Sequence, residues 1–170
     1  MTTNKALFLD RDGTINVDKG YVYKIDDFRL IDGILDVAAA AVGRGYKIIV
    51  VTNQSGIARG FYTQEDFDRL TAHMKKIFAA AGAPIDAVYH CPLLESPDRK
   101  PSPGMFVKAR DAFNLDMTAS VCVGDSETDV EAAMNAGVGT TFLLSAQKKE
   151  SKATAVVSEL KEVVSFLIQE

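Results

Sequence analysis

Four short polar clusters in the sequence bring together residue types that transfer phosphoryl groups: carboxylates, a hydroxyl and a lysine. Each follows, directly or after a loop, an apolar segment typical of a buried strand: Asp10-Arg11-Asp12-Gly13-Thr14, Thr52-Asn53-Gln54-Ser55, Arg99-Lys100, and Gly124-Asp125-Ser126 with Asp129. In an open parallel sheet, ligands bind beyond the carboxyl ends of the strands, so clusters at these ends share one edge. The sequence therefore predicts one active site at that edge.

The aspartates of the first and last clusters predict a magnesium site. Asp10 ends a buried segment, and Asp12, two residues later, projects to the same side if the backbone stays near-extended. Two carboxylates this close repel each other unless a hard cation neutralises them, and Asp125 supplies a third anionic ligand. The alternative is that residues 10–14 form only a capped surface turn, because Asp and Gly are common turn residues.

Thr52 and Lys100 could hold the phosphoryl oxygens, because a hydroxyl donates a hydrogen bond to them and a lysine supplies a point charge. Taken singly, each is better explained as part of an ordinary turn or solvated loop, and Asp125 as the cap of the following helix. The order of the clusters along successive strand ends favours phosphoryl transfer over these separate structural explanations.

Apolar strand-like segments alternate with amphipathic ones along the chain, which predicts an α/β fold: a Rossmann-like parallel sheet with helices on both faces. Thr63 can cap the second helix, with Asp66 as an imperfect capping-box partner. The gaps leave no room for a large cap domain, so residues 1–170 are expected to form a single domain. We predict strands over 6–9, 46–51, 87–91, 120–123 and 140–144, an edge strand over 155–157, and helices over 34–42, 64–81, 103–113, 127–136 and 159–168.

The composition is that of an ordinary soluble globular domain, with 170 residues and a net charge of −4. No clustered basic face is visible, which argues against binding to nucleic acid. No apolar stretch approaches the roughly 20 residues of a membrane helix. Cys91 and Cys122 occur in a chain without a visible secretory signal, so we expect reduced thiols and a cytoplasmic protein. We also expect a monomer.

The polar clusters resemble the four motifs of the haloacid dehalogenase superfamily of phosphatases: Asp10-x-Asp12-x-Thr14, Thr52, Lys100, and Gly124-Asp125-Ser126-x-x-Asp129. Longer strings are similar to those of the D-glycero-D-manno-heptose 1,7-bisphosphate phosphatases within that superfamily. They are LDRDGTIN (9–16), VDKGYV (17–22), VVTNQSGIARG (50–60), RKPSPGM (99–105) and VGDSETDVEAA (123–133). The resemblance covers most of the chain, from about residue 6 to residue 144.

The resemblance implies a role for each matching residue. Asp10 would be the nucleophile that forms an aspartyl phosphate, and Asp12 the general acid and base. Thr52 and Lys100 would hold the phosphoryl oxygens. Magnesium would be bound by the carboxylates of Asp10 and Asp125 and by the backbone carbonyl of Asp12. The implied substrate contacts are Asp18, Lys19, Gly20, Tyr21, Asn53, Gln54, Ser55 and Arg99, with Arg59 as a further candidate for the distal phosphate.

Two positions depart from the family pattern. Many relatives carry a zinc loop with a Cys-x-His pair and a later Cys-x-Cys pair, whereas only Cys91 remains here and Leu93 stands where histidine would be. One thiolate cannot build a four-ligand zinc site, so no structural zinc is expected. Ser126 stands where relatives often have lysine, which removes one possible substrate contact.

The resemblance implies a sugar bisphosphate as substrate, with removal of the C7 phosphate of the heptose and retention of the 1-phosphate. Its metabolic place would be the synthesis of activated heptose for lipopolysaccharide. Histidinol phosphate is an alternative substrate, whereas a polynucleotide 3′-phosphate is disfavoured because the acidic chain shows no basic groove. A catalytically silent binding module on the same fold is a different class of function. The intact set of Asp10, Asp12, Lys100 and Asp125 argues against it, because a binding protein has little need for both acids.

Overall fold

The computed structural model describes residues 2–147 and 149–169, and within them strands and helices alternate along the chain. The strands are β1 (Lys5–Leu9), β2 (Tyr46–Asn53), β3 (Ala87–Cys91), β4 (Val121–Gly124), β5 (Thr140–Leu144) and β6 (Ala155–Val157). The α-helices are α1 (Ile34–Gly43), α2 (Gln64–Ala80), α3 (Gly104–Phe113), α4 (Glu127–Asn135) and α5 (Leu160–Gln169), and a short 3₁₀ helix spans Ile25–Asp27. Across the described ranges, no helix is both long enough and apolar enough to cross a bilayer.

All six strands form one parallel sheet in the order β3-β2-β1-β4-β5-β6. The chain therefore builds one half of the sheet outward from β1, and then returns to place β4 against the other side of β1. The ends of β1 and β4 lie next to each other at the point where the strand order reverses. In doubly wound sheets this reversal opens a crevice beyond the carboxyl ends of the strands, where ligands bind.

The helices cover the sheet as two layers, because the central strands are apolar on both faces. Successive residues of a strand point to opposite faces, so Leu7 packs with one layer and Phe8 with the other. Helices α1, α2 and α5 contribute to the first core, and α3 and α4 to the second. Leu7 and Phe8 are fully buried, and burial of a side chain of this size stabilises the fold by roughly 1.5–3 kcal/mol.

The predicted α/β class with a parallel sheet is confirmed, and every predicted strand and helix is present with ends that differ by at most two residues. The cap at the start of α2 is more complete than predicted. The Thr63 side chain accepts from the Asp66 amide, and the Asp66 carboxylate accepts in turn from the Thr63 amide. The 3₁₀ helix at Ile25–Asp27 was not predicted, because three residues are too few to show a periodic pattern.

Candidate active site

Three carboxylates meet where β1 and β4 lie side by side. Asp10 follows β1, Asp125 follows β4, and Asp129 lies in the first turn of α4. The pairing of the two strands continues to this point, because the Asp10 amide donates to the Val123 carbonyl at 3.1 Å. One carboxylate oxygen from each aspartate lies within 4.8 Å of the others, and these three residues are called the acid cluster below.

Lys100 neutralises part of the acid cluster from the loop after β3. Its Nζ donates to Asp10 Oδ1 at 2.9 Å, to Asp129 Oδ1 at 2.5 Å and to the Val51 carbonyl at 2.8 Å. The side chain is 2% exposed. Burial alone would lower the pKa of Lys100, but the carboxylates of Asp10 and Asp129 outweigh it and raise that pKa, so the ammonium stays charged.

Asn53 holds the loop that carries Lys100. Its side-chain amide donates to the Lys100 carbonyl at 3.1 Å and accepts from the Lys100 backbone amide at 3.0 Å. This pair of bonds connects the end of β2 to the loop after β3, so the position of Lys100 depends on two neighbouring strands.

The surroundings of Asp10 and Asp125 oppose the ionisation of both carboxyl groups. Burial and the charge of Asp129 raise the pKa of Asp10 well above its usual value, and Lys100 only partly offsets them. Burial and Asp129 also raise the pKa of Asp125. The Asp129 carboxylate is held in place, because its Oδ2 accepts hydrogen bonds from the backbone amides of Asp125 and Ser126. A cation between Asp10 and Asp125 would relieve this repulsion.

The carboxylate of Asp12 faces the cavity from a different direction and is held by three donors. Arg11 is buried and donates Nη2 to both Asp12 oxygens at 3.0 Å. Asn16 Nδ2 donates to Oδ1 at 3.0 Å, and Gln54 Nε2 donates to Oδ2 at 3.1 Å. Asp12 is therefore separate from the acid cluster, and the side chains of Arg11, Asn16 and Gln54 fix the position of its carboxylate.

Thr52 lies at the end of β2 and is almost fully buried. Its Oγ1 accepts a hydrogen bond from Gln54 Nε2 at 2.8 Å, and the other end of the Gln54 amide accepts from the Tyr62 hydroxyl. Burial, together with the nearby charge of Asp12, raises the pKa of Tyr62 to about 12, although the Arg11 charge opposes this. Tyr62 therefore remains a neutral donor at physiological pH.

These groups line one cavity of about 340 Å³. Among the residues predicted to contact substrate, six line it: Asp18, Gly20, Tyr21, Asn53, Gln54 and Ser55. The cationic candidates Lys19, Arg59 and Arg99 are not among the lining residues, and the Arg99 guanidinium instead donates to the Leu93 carbonyl at 3.4 Å.

Ser126, from the fourth polar cluster, lines the cavity as well, and sequence reasoning made no prediction for two further lining residues, Tyr62 and Thr128. In the sequence, Tyr62 precedes the helix cap Thr63, where an apolar residue commonly packs against the helix. Thr128 belongs to an ordinary helix start. The sequence therefore offered a structural reason for each residue and no signal of its place in the site.

The charge of the cavity wall indicates that a bound phosphate needs an accompanying cation. Five aspartates and one lysine line the cavity, namely Asp10, Asp12, Asp18, Asp125, Asp129 and Lys100. A phosphate group would be repelled by this wall unless a cation accompanied it. Gly13 leaves space for the Asp125 carboxylate, because a Cβ atom at residue 13 would overlap it.

Comparisons with known proteins agree with this geometry. Residues 98–167 match the family model described as HAD-hydrolase-like. A D-glycero-alpha-D-manno-heptose-1,7-bisphosphate 7-phosphatase of Burkholderia mallei is 50% identical over 96% of this chain and 94% of that protein. A D-glycero-beta-D-manno-heptose-1,7-bisphosphate 7-phosphatase of Vibrio cholerae is 44% identical over 96% of each. The crystal structure of a D,D-heptose 1,7-bisphosphate phosphatase from B. bronchiseptica, complexed with magnesium and phosphate, has a TM-score of 0.87 at 30% identity, covering 97% of this chain and 98% of that one.

Proposed function

Because this chain belongs to the HAD-like hydrolases, and within them to the family of the heptose 1,7-bisphosphate phosphatases, we propose that it removes the C7 phosphate of D-glycero-D-manno-heptose 1,7-bisphosphate. The product would be heptose 1-phosphate. The observation that supports this most directly is the cavity that Asp10 and Asp12 line together, with Lys100 Nζ 2.9 Å from Asp10. A nucleophile, a proton carrier and a phosphate-binding cation are the groups that hydrolysis through an aspartyl phosphate requires.

The residues divide the reaction into two halves. In the first, a carboxylate oxygen of Asp10 attacks phosphorus, the bond from phosphorus to the C7 oxygen breaks, and Asp12 gives its proton to the departing alkoxide. In the second, Asp12 takes a proton from a water molecule whose oxygen attacks the aspartyl phosphate. The bond to Asp10 then breaks, and free Asp10 and inorganic phosphate result. Thr52 and Lys100 stabilise the charge on the phosphoryl oxygens in both halves.

The donor set fits Mg²⁺. Carboxylate oxygens are its preferred protein ligands, and it commonly takes few of them together with water and a phosphate oxygen. Asp10 and Asp125 would supply carboxylates, and the predicted third ligand is the backbone carbonyl of Asp12. The Asp12 carboxylate itself accepts from Arg11. When bound, Mg²⁺ would screen the charge between the nucleophile and the phosphate. The absence of a structural zinc stays a prediction, as do the monomeric state and the cytoplasmic location.

The substrate contacts stay proposals of the same kind. Asp18, Gly20, Tyr21 and Ser55 line the cavity beside the reacting groups, where they could contact the sugar. Lys19 and Arg99 could contact the substrate, and Arg59 its distal phosphate, only if a bound substrate extends beyond the lining residues. The relatives from B. mallei and V. cholerae differ in the anomer that they are named for, so both anomers belong in the test.

The test is phosphate release with magnesium from both anomers of heptose 1,7-bisphosphate, from histidinol phosphate and from a 3′-phosphorylated oligonucleotide. We expect the heptose bisphosphates to be the preferred substrates, and the product to retain the 1-phosphate. Asp10→Asn should abolish turnover, whereas Asp111→Asn, on the exposed surface of α3, should leave it unchanged. Turnover that persists in Asp10→Asn would disprove the covalent route. A wild-type preference for histidinol phosphate or the oligonucleotide would disprove the substrate.

A further inference from the structure

All the hydrogen-bonding atoms of the Gln54 side chain are engaged beneath the active site. Nε2 donates to Asp12 Oδ2 at 3.1 Å and to Thr52 Oγ1 at 2.8 Å, and Oε1 accepts from the Tyr62 hydroxyl. Gln54 is 2% exposed and Tyr62 5% exposed, so water has little access to either. One amide therefore connects the proton carrier to a phosphoryl-binding hydroxyl, and one phenol holds the opposite end of that amide.

The orientation of this amide decides whether it supports or opposes the reacting groups. Its oxygen and nitrogen ends are nearly the same size, so only hydrogen bonding distinguishes them. With Nε2 toward Asp12, the carboxylate receives a donor. With Oε1 toward Asp12, two acceptors would face each other, and Thr52 would lose the donor that occupies its lone pair.

We propose that Tyr62 is a positioning residue, which aligns Asp12 and Thr52 for the reaction by fixing the orientation of the Gln54 amide. The Tyr62 hydroxyl satisfies Oε1, and the amide then presents its two N–H donors to Asp12 and Thr52. Because Thr52 Oγ1 accepts from Gln54, its own hydrogen makes only a long bond of 3.5 Å to the Asn53 carbonyl, which it can exchange for a phosphoryl oxygen in the cavity.

The Tyr62 ring is itself held in place by its surroundings. It stacks on Tyr23 with ring centroids 5.3 Å apart and planes inclined by 10°. On another side it lies against Gly56, where a Cβ atom would overlap the ring. The contacts of the ring therefore fix the position of the Tyr62 hydroxyl beside Gln54, as a positioning role requires.

This inference rests on the proposed phosphatase mechanism, and the leaving group provides a readout specific to it. The alkoxide that leaves a sugar phosphate needs a proton from Asp12, whereas the p-nitrophenolate that leaves p-nitrophenyl phosphate does not. Misalignment of Asp12 should therefore slow the sugar phosphate much more than the aryl phosphate. A general loss of folding or metal binding would slow both equally.

The experiment measures kcat and KM with magnesium for heptose 1,7-bisphosphate and for p-nitrophenyl phosphate, in wild type, Tyr62→Phe and Gln54→Met. We expect each variant to lower kcat about tenfold on the sugar phosphate and about threefold or less on the aryl phosphate, with KM changed less than kcat. Tyr23→Phe is the matched control, because it removes a hydroxyl from the stacked partner ring, which does not line the cavity, and it should leave both substrates unchanged.

Adding Tyr62→Phe to Gln54→Met completes the test. If Tyr62 acts through Gln54, the double variant should be no slower than Gln54→Met alone. Equal losses on both substrates, no loss in Tyr62→Phe, or multiplicative losses in the double variant would each overturn the inference.

These results are distinguishable from a failure of the proposed function. If the wild-type protein does not hydrolyse the heptose bisphosphate but hydrolyses another alkyl phosphate, only the proposed substrate is wrong. The comparison with p-nitrophenyl phosphate is then made with that alkyl phosphate. If wild type cleaves no phosphate ester, both proposals fail.

Discussion

Lys100→Met should destabilise the metal-free protein strongly, because Lys100 is the cation that pairs directly with the acid cluster. Its ammonium contacts Asp10 and Asp129, whose side chains are 12% and 3% exposed. Methionine has a similar length but no charge, so both carboxylates would stay buried without their partner. Removing one member of a buried ion pair costs about 3–5 kcal/mol, and repulsion within the cluster places this case toward the upper end of that range.

In a chain of this size, each kcal/mol lowers the melting temperature by about 2–4 °C, so a loss of roughly 6–20 °C is expected. Urea unfolding with a chelator present measures the free energy directly. Asp129→Asn in the Lys100→Met background should recover a substantial part of the loss, because it removes one buried charge and keeps an acceptor for the Asp125 and Ser126 amides. The control is Lys108→Met, which affects only an exposed pair with Asp98 and should change stability little.

The loss should also depend on pH with a definite sign. The pKa of Asp10 is raised in the folded protein even with Lys100 present, so its contribution to stability is present at low pH and is lost as pH rises through the folded pKa. Without Lys100 that contribution grows, and the gap from wild type should narrow between pH 7.5 and pH 5. The reasoning is refuted if Lys100→Met matches wild type in stability, if Asp129→Asn recovers nothing, or if the gap widens in acid.

Three further predictions follow from the site and its supports. Magnesium at a hundredfold excess over its dissociation constant should raise the free energy of unfolding by about 2.7 kcal/mol, as measured by melts with and without chelator. Gly13→Ala should weaken magnesium binding about tenfold, as measured by titration, because φ is +88° and the new Cβ would overlap the Asp125 carboxylate. Ser120→Ala should cost about 1–3 kcal/mol in urea unfolding, since its buried Oγ accepts from the Ala6 amide at 3.0 Å and donates to the Asp116 carbonyl at 2.6 Å.

Each of these predictions has a control and an outcome that would contradict it. Unchanged melting with magnesium would argue against the cation site. Gly82→Ala shares the left-handed backbone of Gly13 but has open space around it, so equal magnesium affinities in the two variants would remove the overlap argument. Ser165→Ala, on the exposed surface of α5, should be near neutral, and a Ser120→Ala variant as stable as this one would show that the buried hydroxyl contributes nothing.

Much of the fold could be predicted because its signals are local. Residues 48–51 of β2 are an unbroken run of β-branched apolar residues, as is typical of a buried strand, and Thr63 with Asp66 marks the start of α2 by a pattern three residues apart. The polar clusters at strand ends were visible for the same reason, since each is a continuous stretch of sequence.

The contacts between clusters were not predictable in the same way. Asp12 was expected near Asp10 because it lies two residues away, yet its carboxylate is bound by Arg11, Asn16 and Gln54 rather than by the acid cluster. Lys100 reaches Asp129 across 29 residues, and Tyr62 reaches the site through Gln54. No spacing rule encodes such pairs, because they depend on which strands become neighbours.

The sequence by itself determined the alternation of strands and helices, the motifs at the strand ends and the chemical class of the reaction. The tertiary structure alone decided that β4 lies beside β1, which brings Asp125 to Asp10, and that the loop after β3 turns Lys100 inward to Asp10 and Asp129. The physical reason is that local propensity and periodicity act over a few residues, whereas a binding site is defined by packing between segments far apart in the chain.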